Sequence, residues 1–211
     1  MDTGNGSSTI PVFDSGFPVD FSIYKDIDSQ ADWQAGSRLQ GGKYLYTSDT
    51  DSEASSSAWD NWDSNEGFFA ASWASSDKQA WMFKRTRGFT TVAYQGNGVA
   101  GRQIAHDMNN SVGMMWIKKR DATGDWWVYH SGMTDDYGGG DPEDYANKLN
   151  ENVARTTSAS AYWNGTAPTS THFTLGSSND VNQDGNEYLA MLFSSVDKIS
   201  KAGYYLSLIH I

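Results

Sequence analysis

A Gly-Asn-Gly triplet occurs twice in the chain, and the residues that follow the two triplets resemble each other in an ordered series. The first triplet occupies residues 4–6 and the second residues 96–98. The matching landmarks are residues 23–25 with 117–119, 32–33 with 125–126, 55–61 with 158–164, and 80–83 with 189–193. Matches between glycines often arise by chance, whereas an ordered series of aromatic and apolar landmarks indicates a duplication.

The duplication predicts two tandem repeat units, residues 1–94 and 95–205. The second unit is longer because of residues 133–147 and 177–187, which are dense in turn formers. Such additions belong in surface loops, since closing a longer loop costs little. The first unit has no opening strand like residues 88–94, so we expect it to be truncated at its N-terminal strand.

Short apolar runs separated by turn formers predict an all-β protein. Residues 19–25 alternate apolar and polar side chains, the period of a half-buried strand, whereas residues 112–119 and 187–193 are apolar on both faces. The best helical candidate is the short segment 141–151. We predict an antiparallel β-sandwich for each unit. A single larger sandwich built from both halves is the alternative.

Charge and composition exclude some partners. The chain has 26 acidic and 15 basic residues, and its formal net charge is −11. This charge repels phosphate backbones and anionic lipids, so we expect neither nucleic acid nor membrane insertion. Cysteine is absent, and residues 1–10 have neither the basic start nor the apolar core of a signal peptide. We therefore expect assembly in the cytoplasm.

Two long stretches resemble a known family. They are "YQGNGVAGRQIAHDMNNSVGMMWIKKRDATGDWWVYH", residues 94–130, and "YWNGTAPTSTHFTLGSSNDVNQDGNEYLAMLF", residues 162–193. Both resemble a tandemly repeated domain in tail and tail-fibre proteins of aquatic, cyanophage-like tailed phages. The first half matches more loosely, and His106 has no counterpart there. The resemblance implies a concanavalin A-like β-sandwich of jelly-roll type, a structural or receptor-facing role and no assigned catalytic residues.

This resemblance favours a non-enzymatic structural module of a phage tail or tail fibre. Its expected location is the virion tail, after assembly in the host cytoplasm. Other tail subunits, a host surface glycan and further copies of the chain are the expected partners. A carbohydrate-binding module is the alternative. A glycan depolymerase is a third hypothesis, which needs a pair of carboxylates about 5 Å apart, yet the glutamates fall in turn-rich segments.

The last six residues, 206–211, read "LSLIHI". One reading frame of a common sequencing-library adapter translates to the same letters. By the logic of the repeat, a third Gly-Asn-Gly should follow Tyr205. We therefore predict that these residues are a non-native tail.

One loop carries the residue types of a sugar site. Sugar sites combine an aromatic platform with polar groups that bind hydroxyls. The candidates are Trp59, Asp60, Asn61, Trp62 and Asp63. Trp59 aligns with Trp163 or its neighbour, which favours a core position. Trp62 has no partner in the second half, which makes it the better candidate for an exposed ring; the alternative is a tryptophan packed within the loop.

A second segment resembles the start of a calcium loop. Asp180, Asn182 and Asp184 alternate as in the D-x-N-x-D-G pattern, so that three oxygens can converge on a hard cation. The twelfth position is Met191 instead of the expected glutamate. The alternative is a β-hairpin turn. We expect no cofactor; calcium is the one candidate, because the histidines lack the spacing of a zinc site.

Overall fold

The computed structural model describes residues 2–3, 11–60, 62–68, 78–134, 140–157 and 159–203. The chain is mostly β, and its strand pairs are antiparallel. The strands of the first half are β1 Asp2–Thr3, β2 Phe13–Asp14, β3 Phe21–Asp26, β4 Gln34–Ser37, β5 Lys43–Tyr46, β6 Ala54–Ser55, β7 Gly67–Phe68 and β8 Lys78–Phe83.

The second half continues with seven strands and two single-turn helices. They are β9 Phe89–Gln95, β10 Arg102–Ala105, β11 Met114–Lys119, β12 Trp127–His130, β13 Asn147–Lys148, α1 Ser160–Trp163, β14 His172–Leu175, α2 Asn179–Asn182 and β15 Glu187–Phe193. Among the described residues, short 3-10 helices lie at Arg38–Gln40, Ser57–Trp59 and Pro142–Asp144.

The strands form two main sheets. The first sheet has the order β1-β8-β3-β4-β5-β6, and the second has the order β9-β15-β11-β12-β13. In each half the sheet begins with the first strand, continues with the last strand, and then takes the third, fourth and fifth; the first sheet has β6 as a sixth strand. The second strand of each half pairs with the last strand but one, as β2 with β7 and β10 with β14.

Apolar side chains from both sheets meet in one central cluster. It contains Phe21, Ile23, Ala35 and Leu45 of the first sheet together with Phe89, Trp126, Leu189 and Met191 of the second half. The opposite face of each sheet is covered by its own outer cluster, which includes Trp59 in the first half and Trp163 in the second. Both sheets are therefore buried on two faces.

This double burial corrects the expectation for β3. The alternating pattern predicts a half-buried strand, but all of Phe21 to Tyr24 is buried. Phe21 and Ile23 enter the central cluster, while Tyr24 enters the outer cluster beside Trp59. Tyr24 has an apolar ring and a polar tip, so it can be buried or exposed. The alternation of apolar and polar residues along β3 therefore did not show that a second layer covers the strand.

The second sheet begins before the boundary predicted from the sequence. β9 pairs with β15 along its whole length, from Phe89 opposite Phe193 to Gln95 opposite Glu187. The predicted boundary between residues 94 and 95 therefore falls within this strand. The first Gly-Asn-Gly triplet at 4–6 and the predicted tail at 206–211 lie outside the described residues.

Candidate functional site

One segment of the first half, which we call the junction loop (residues 46–53), lies against the second sheet. The indole Nε1 of Trp126 donates to the carbonyl oxygen of Tyr46 at 2.8 Å. The backbone N–H of Gly124 donates to the carbonyl of Thr50, and the N–H of Glu53 donates to the carbonyl of Arg120. The junction loop thus joins the two halves through main-chain groups.

Lys118 of β11 lies beneath the junction loop and is fully buried. Its ammonium Nζ donates to the carbonyl oxygens of Thr50 at 3.1 Å, Asp51 at 2.7 Å and Lys119 at 3.1 Å. Burial lowers the pKa of Lys118 to about 8, against the attraction of nearby aspartates such as Asp49. An ammonium has three protons, and each of them has an acceptor here.

Glu53 ends the junction loop with a buried carboxylate. It accepts from Lys43 Nζ at 2.6 Å, Arg120 Nε at 2.9 Å and Gln40 Nε2 at 3.2 Å. Burial by itself raises the pKa of Glu53, but the hydrogen bonds from Lys43, Arg120 and Gln40 outweigh it and hold the pKa below its usual value. Arg120 also reaches Glu187 at 3.3 Å, so this charged group spans both sheets.

The predicted aromatic loop does not present an exposed ring. Trp59 and Trp62 are 2% and 4% exposed. Their Nε1 atoms donate to Gln34 Oε1 and to the Gly41 carbonyl, both at 3.1 Å, and both rings contact Phe68. Trp62 is therefore packed, not an exposed ring, because a carbonyl distant in sequence accepts from its N–H and lets the ring enter the core.

The polar members of that loop are separated from the rings. Asp60 and Asp63 are exposed, and Asp63 lies 3.6 Å from Arg38 Nη1. Asn61 lies outside the described residues. The structure therefore places the carboxylates at the surface and both indoles beneath it.

The segment that resembles a calcium loop holds the second Gly-Asn-Gly triplet. Asn182 is fully buried; its Nδ2 donates to the carbonyls of Val99 at 3.0 Å and Gly176 at 2.8 Å, and its Oδ1 accepts from Asn97 N–H at 3.1 Å. Gly96 passes so close that a Cβ there would lie 2.0 Å from the Gln183 carbonyl oxygen. Asn182 is therefore a clasp for residues 96–99.

The other two predicted ligands lie on either side of this clasp. Asp180 belongs to α2, with its N–H on Ser178 Oγ at 3.2 Å, and Asp184 is exposed beyond the helix. The predicted β-hairpin alternative is wrong, since one helical turn precedes the bend at Gly185. In the described part of the chain, no group of three or more His, Asp or Glu side chains is placed to hold a metal ion.

A cleft of about 510 Å³ lies beside β9, where the two halves meet. Its walls include Leu39 of the first half and residues 105–107 of the second. Arg85 Nη2 and Asp107 Oδ2 form an ion pair at 2.9 Å on its rim. Burial tends to raise the pKa of Asp107, but Thr90 and Arg85 hold it below its usual value.

His106, beside this cleft, has both ring nitrogens buried without a hydrogen-bond partner in the described residues. Burial is the main reason that its pKa is lowered; His172 adds to the effect, while the Thr169 main chain and Asp107 oppose it. His106 and His172 lie near each other where β10 pairs with β14. His130 is elsewhere and accepts from the N–H of Gly132.

The sequence patterns did not predict a partly exposed aromatic pair. Trp33 and Trp81 stack with their ring centroids 4.8 Å apart, and Trp81 is 39% exposed. Lys25 Nζ lies 5.4 Å from the Trp33 ring centroid. Trp81 lies on β8 and Trp33 directly precedes β4, so the only available signal was the match of Trp33 with Trp126.

The chain belongs to the family described as Domain of unknown function (DUF7483), which matches residues 44–208. This range begins in β5 and includes the junction loop and the whole second sheet. No curated protein and no solved structure matches the chain. No helix in the described ranges is long and apolar enough to cross a membrane.

Proposed function

We propose that the chain is a non-enzymatic structural module of a phage tail or tail fibre. In this proposal the two halves are copies of one unit, and together they form a concanavalin A-like β-sandwich of jelly-roll type. Five strands occur in the same order in each main sheet, and this shared order supports common descent of the halves. The sequence resemblance over residues 94–130 and 162–193 supports the tail role.

The observation that carries the proposal is that the buried charged side chains at the junction bond to partners from both halves. Lys118 and Glu53 have their hydrogen-bonding atoms engaged by partners from both halves. A general acid or base must reach a substrate proton, whereas these groups fix the position of one sheet on the other. A rigid connection between its halves is what a structural or spacer module requires.

The proposed partners follow from the same role. They are other virion tail subunits and further copies of the chain, assembled in the host cytoplasm. The net charge of −11 disfavours nucleic acid and anionic membranes as partners.

Mass spectrometry of purified particles from a phage that encodes this chain tests the proposal. We expect its peptides at a constant ratio to those of a tail-tube protein, before and after a high-salt wash. Detection in the host lysate alone, with none in the particles, would contradict it. Release of reducing sugar from host polysaccharide, abolished by one Asp or Glu substitution, would instead establish a depolymerase.

A carbohydrate-binding role is the second candidate, and the pair Trp33 and Trp81 favours it. An exposed indole face suits the apolar face of a sugar ring, and Lys25 adds a polar group beside it. On a glycan array, we expect Trp81→Ala to abolish any binding seen with the unchanged chain. Ile199→Ala, which removes an exposed apolar side chain elsewhere, is the control. Equal binding by Trp81→Ala would reject this site.

A further inference from the structure

The two halves of the chain contribute unlike surfaces to the contact between them. The junction loop of the first half covers Lys118 and Trp126 of the second, and both side chains are fully buried. The carbonyl of Tyr46 accepts from the Trp126 indole at 2.8 Å, and the carbonyl of Asp51 accepts from the Lys118 ammonium at 2.7 Å. A loop of one half therefore binds a sheet face of the other.

The second half has a loop at the equivalent position, residues 148–155, which we call the second loop. Tyr44 pairs with Ala54 across the junction loop, and Ala146 pairs with Thr156 across the second loop. The two pairs enclose the same number of residues, so each position of the second loop has one counterpart in the junction loop.

A side-chain hydrogen bond supports this correspondence of the two loops. Ser48 donates to Asp32 Oδ1 at 2.8 Å, and Asn150 donates to Asp125 Oδ1 at 2.9 Å. Each acceptor is the aspartate that directly precedes the tryptophan of its own half. The two loops are therefore anchored to their own halves in the same way.

The second loop, unlike the junction loop, lies open to solvent. Residues 151–154 are exposed, with Val153 at 55%, and Leu149 is 39% exposed. Within the described residues, the hydrogen bonds and ion pairs of the second loop all go to the second half of the chain. Two exposed apolar side chains, on a loop whose counterpart is an interface, indicate a surface that meets a partner.

The first sheet has a face equivalent to the one that the junction loop covers. Lys25 and Trp33 occupy the positions of the buried lysine and tryptophan, and Trp81 occupies that of the fully buried Met191. We call these three side chains the open face, because Lys25 and Trp33 are partly exposed and Trp81 is 39% exposed. Within the described part of the chain, neither Lys25 Nζ nor Trp33 Nε1 has a hydrogen-bond acceptor.

The charges near the second loop and the open face are complementary. At the junction, Glu53 at the end of the loop pairs with Arg120, directly after β11, at 2.9 Å. The counterpart of Glu53 in the second loop is Arg155, and the exposed Asp28 lies in the segment that links the lysine and the tryptophan of the open face. Carboxylate and cation have thus exchanged sides, and opposite charges across an interface favour the correct partner.

We propose that the second loop of one copy of this chain binds the open face of another copy, as the junction loop binds the second sheet within the chain. Trp33 Nε1 then donates to the carbonyl of Lys148, and Lys25 Nζ donates to the carbonyl of Val153. These carbonyls are the counterparts of the two junction-loop carbonyls described above. The contact therefore repeats between copies an arrangement that already exists between the halves.

The two surfaces of this contact differ, so the contact is heterologous. When two copies bind, one of them retains a free second loop and the other retains a free open face. Contacts of this type continue into rings if the rotation between copies closes, and into open filaments if it does not.

This inference deepens the structural role proposed above and rests on it in one respect, that copies of the chain meet each other. It assigns the Trp33 and Trp81 surface to a second copy instead of the sugar considered above. Its test uses the isolated chain in solution, so failure of the test would remove this interface and leave the particle experiment unaffected.

Sedimentation equilibrium of the isolated chain, at concentrations up to about 1 mM, measures self-association; linked modules meet at effective concentrations of this order. We expect the average mass of the unchanged chain to rise with concentration. Val153→Lys places a cation against Lys25, and Trp81→Ala removes a ring of the open face. Each should lower the association constant at least about tenfold, which is about 1.4 kcal/mol. Ile199→Lys, the same kind of change at an exposed side chain outside both surfaces, is the control and should leave association unchanged.

A mixture of the two variants tests the heterologous geometry. Chains with Val153→Lys keep an intact open face, and chains with Trp81→Ala keep an intact second loop. An equimolar mixture should therefore form dimers with one chain of each kind and no larger assemblies. If Trp81→Ala fails to fold, Trp33→Phe replaces it, because it removes the indole N–H and keeps a ring.

Three results would overturn the proposal. The first is an unchanged chain that stays monomeric over the whole concentration range, including one that binds a glycan through Trp81. The second is association that neither Val153→Lys nor the open-face variant weakens. The third is a mixture that stays monomeric or grows beyond dimers.

Discussion

Lys25 and Trp33 in the first half occupy the same positions in the fold as Lys118 and Trp126 in the second, so the strand pairing corrects the match of residues 23–25 with 117–119 by one residue. Lys25 and Lys118 each follow the residue that pairs with an alanine of the last strand, Ala80 or Ala190. The carbonyls of Trp33 and Trp126 each accept an N–H at 3.0 Å, from Thr47 and Leu149. The backbone surroundings of the two pairs are therefore alike.

Both tryptophans contact the central cluster, but the two pairs differ in burial and in hydrogen-bond partners. Lys118 and Trp126 are fully buried beneath the junction loop, which supplies carbonyl acceptors to both. Lys25 and Trp33 are partly exposed, and Lys25 rests on the Trp33 ring instead. The comparison shows that contact between the halves, not the local sequence, decides whether this lysine and tryptophan become structural.

The largest expected effect is the loss of the charge that joins the halves at Glu53. Glu53→Ala leaves Arg120 and Lys43 without their shared carboxylate, and removing one partner of a buried ion pair costs about 3–5 kcal/mol. Urea denaturation measures the free energy of unfolding. Glu187→Ala, which removes the exposed second partner of Arg120, is the control, with an expected loss below about 1 kcal/mol. Equal losses would contradict a special role for the junction.

The lysine pair tests the comparison directly. Lys118→Met leaves buried carbonyls without their donor and should cost about 1–3 kcal/mol. Lys25→Met should cost less than about 0.5 kcal/mol, as is usual for surface changes. Thermal unfolding of both variants, monitored by circular dichroism, gives the difference. A loss for Lys25→Met as large as that for Lys118→Met would show that the two sites are energetically alike.

Lys118→Met should also change how the free energy of unfolding depends on pH. The pKa of Lys118 is about 8 in the folded chain and about 10.4 in an unfolded one. Between these values the unfolded state binds more protons, so stability rises with pH. We expect the stability difference between the unchanged chain and Lys118→Met to grow from pH 8 to pH 9.5. A constant difference would contradict the lowered pKa.

The tryptophan pair gives a smaller contrast. Trp126→Phe removes the donor to the Tyr46 carbonyl and some central volume, which should cost about 1–2 kcal/mol. Trp33→Phe keeps a ring against Trp81 and should change the unfolding free energy by less than about 1 kcal/mol. Denaturant titration measures both. If Trp33→Phe were the more damaging change, the surface pair would be the more important one.

The smallest effect concerns His106, which has no equivalent in the first half. Its pKa is lowered in the folded chain, so below the unfolded value of about 6.5 the unfolded state takes up a proton that the folded state resists. The contribution of neutral His106 to the free energy of unfolding is therefore present above pH 6.5 and is lost as the pH falls. We expect the melting temperature of the unchanged chain to fall more than that of His106→Phe between pH 7 and pH 5.5. Parallel curves would contradict this.

Local patterns in the sequence predicted the class of the fold but not the layers. Apolar residues on both faces of 187–193 correctly indicated a strand covered twice. The segment 141–151 was predicted as a helix, yet only Pro142–Asp144 is helical, because Asn147 and Lys148 pair with β12. Tertiary pairing overrides a weak helical preference.

The candidate sites were harder to predict for the same reason. Glu53 and Arg120 are separated by 67 residues in the chain, so no local spacing relates them. The Trp62 donor finds its carbonyl 21 residues away, so the residue types of the loop could not decide between an exposed and a packed ring. The segment with the calcium-like pattern binds the second Gly-Asn-Gly triplet of the same chain.

The Asn182 clasp has a consequence for biosynthesis. Asn97 and Asn182 lie 85 residues apart, and β9 finds its ladder partner only after α2 has left the ribosome. Long-range strand pairing of this kind is slow to form. During translation β9 is therefore an unpaired strand whose completion depends on the last part of the second half. Expression fragments that stop before Glu187 should aggregate, because they contain β9 without the strand that it pairs with.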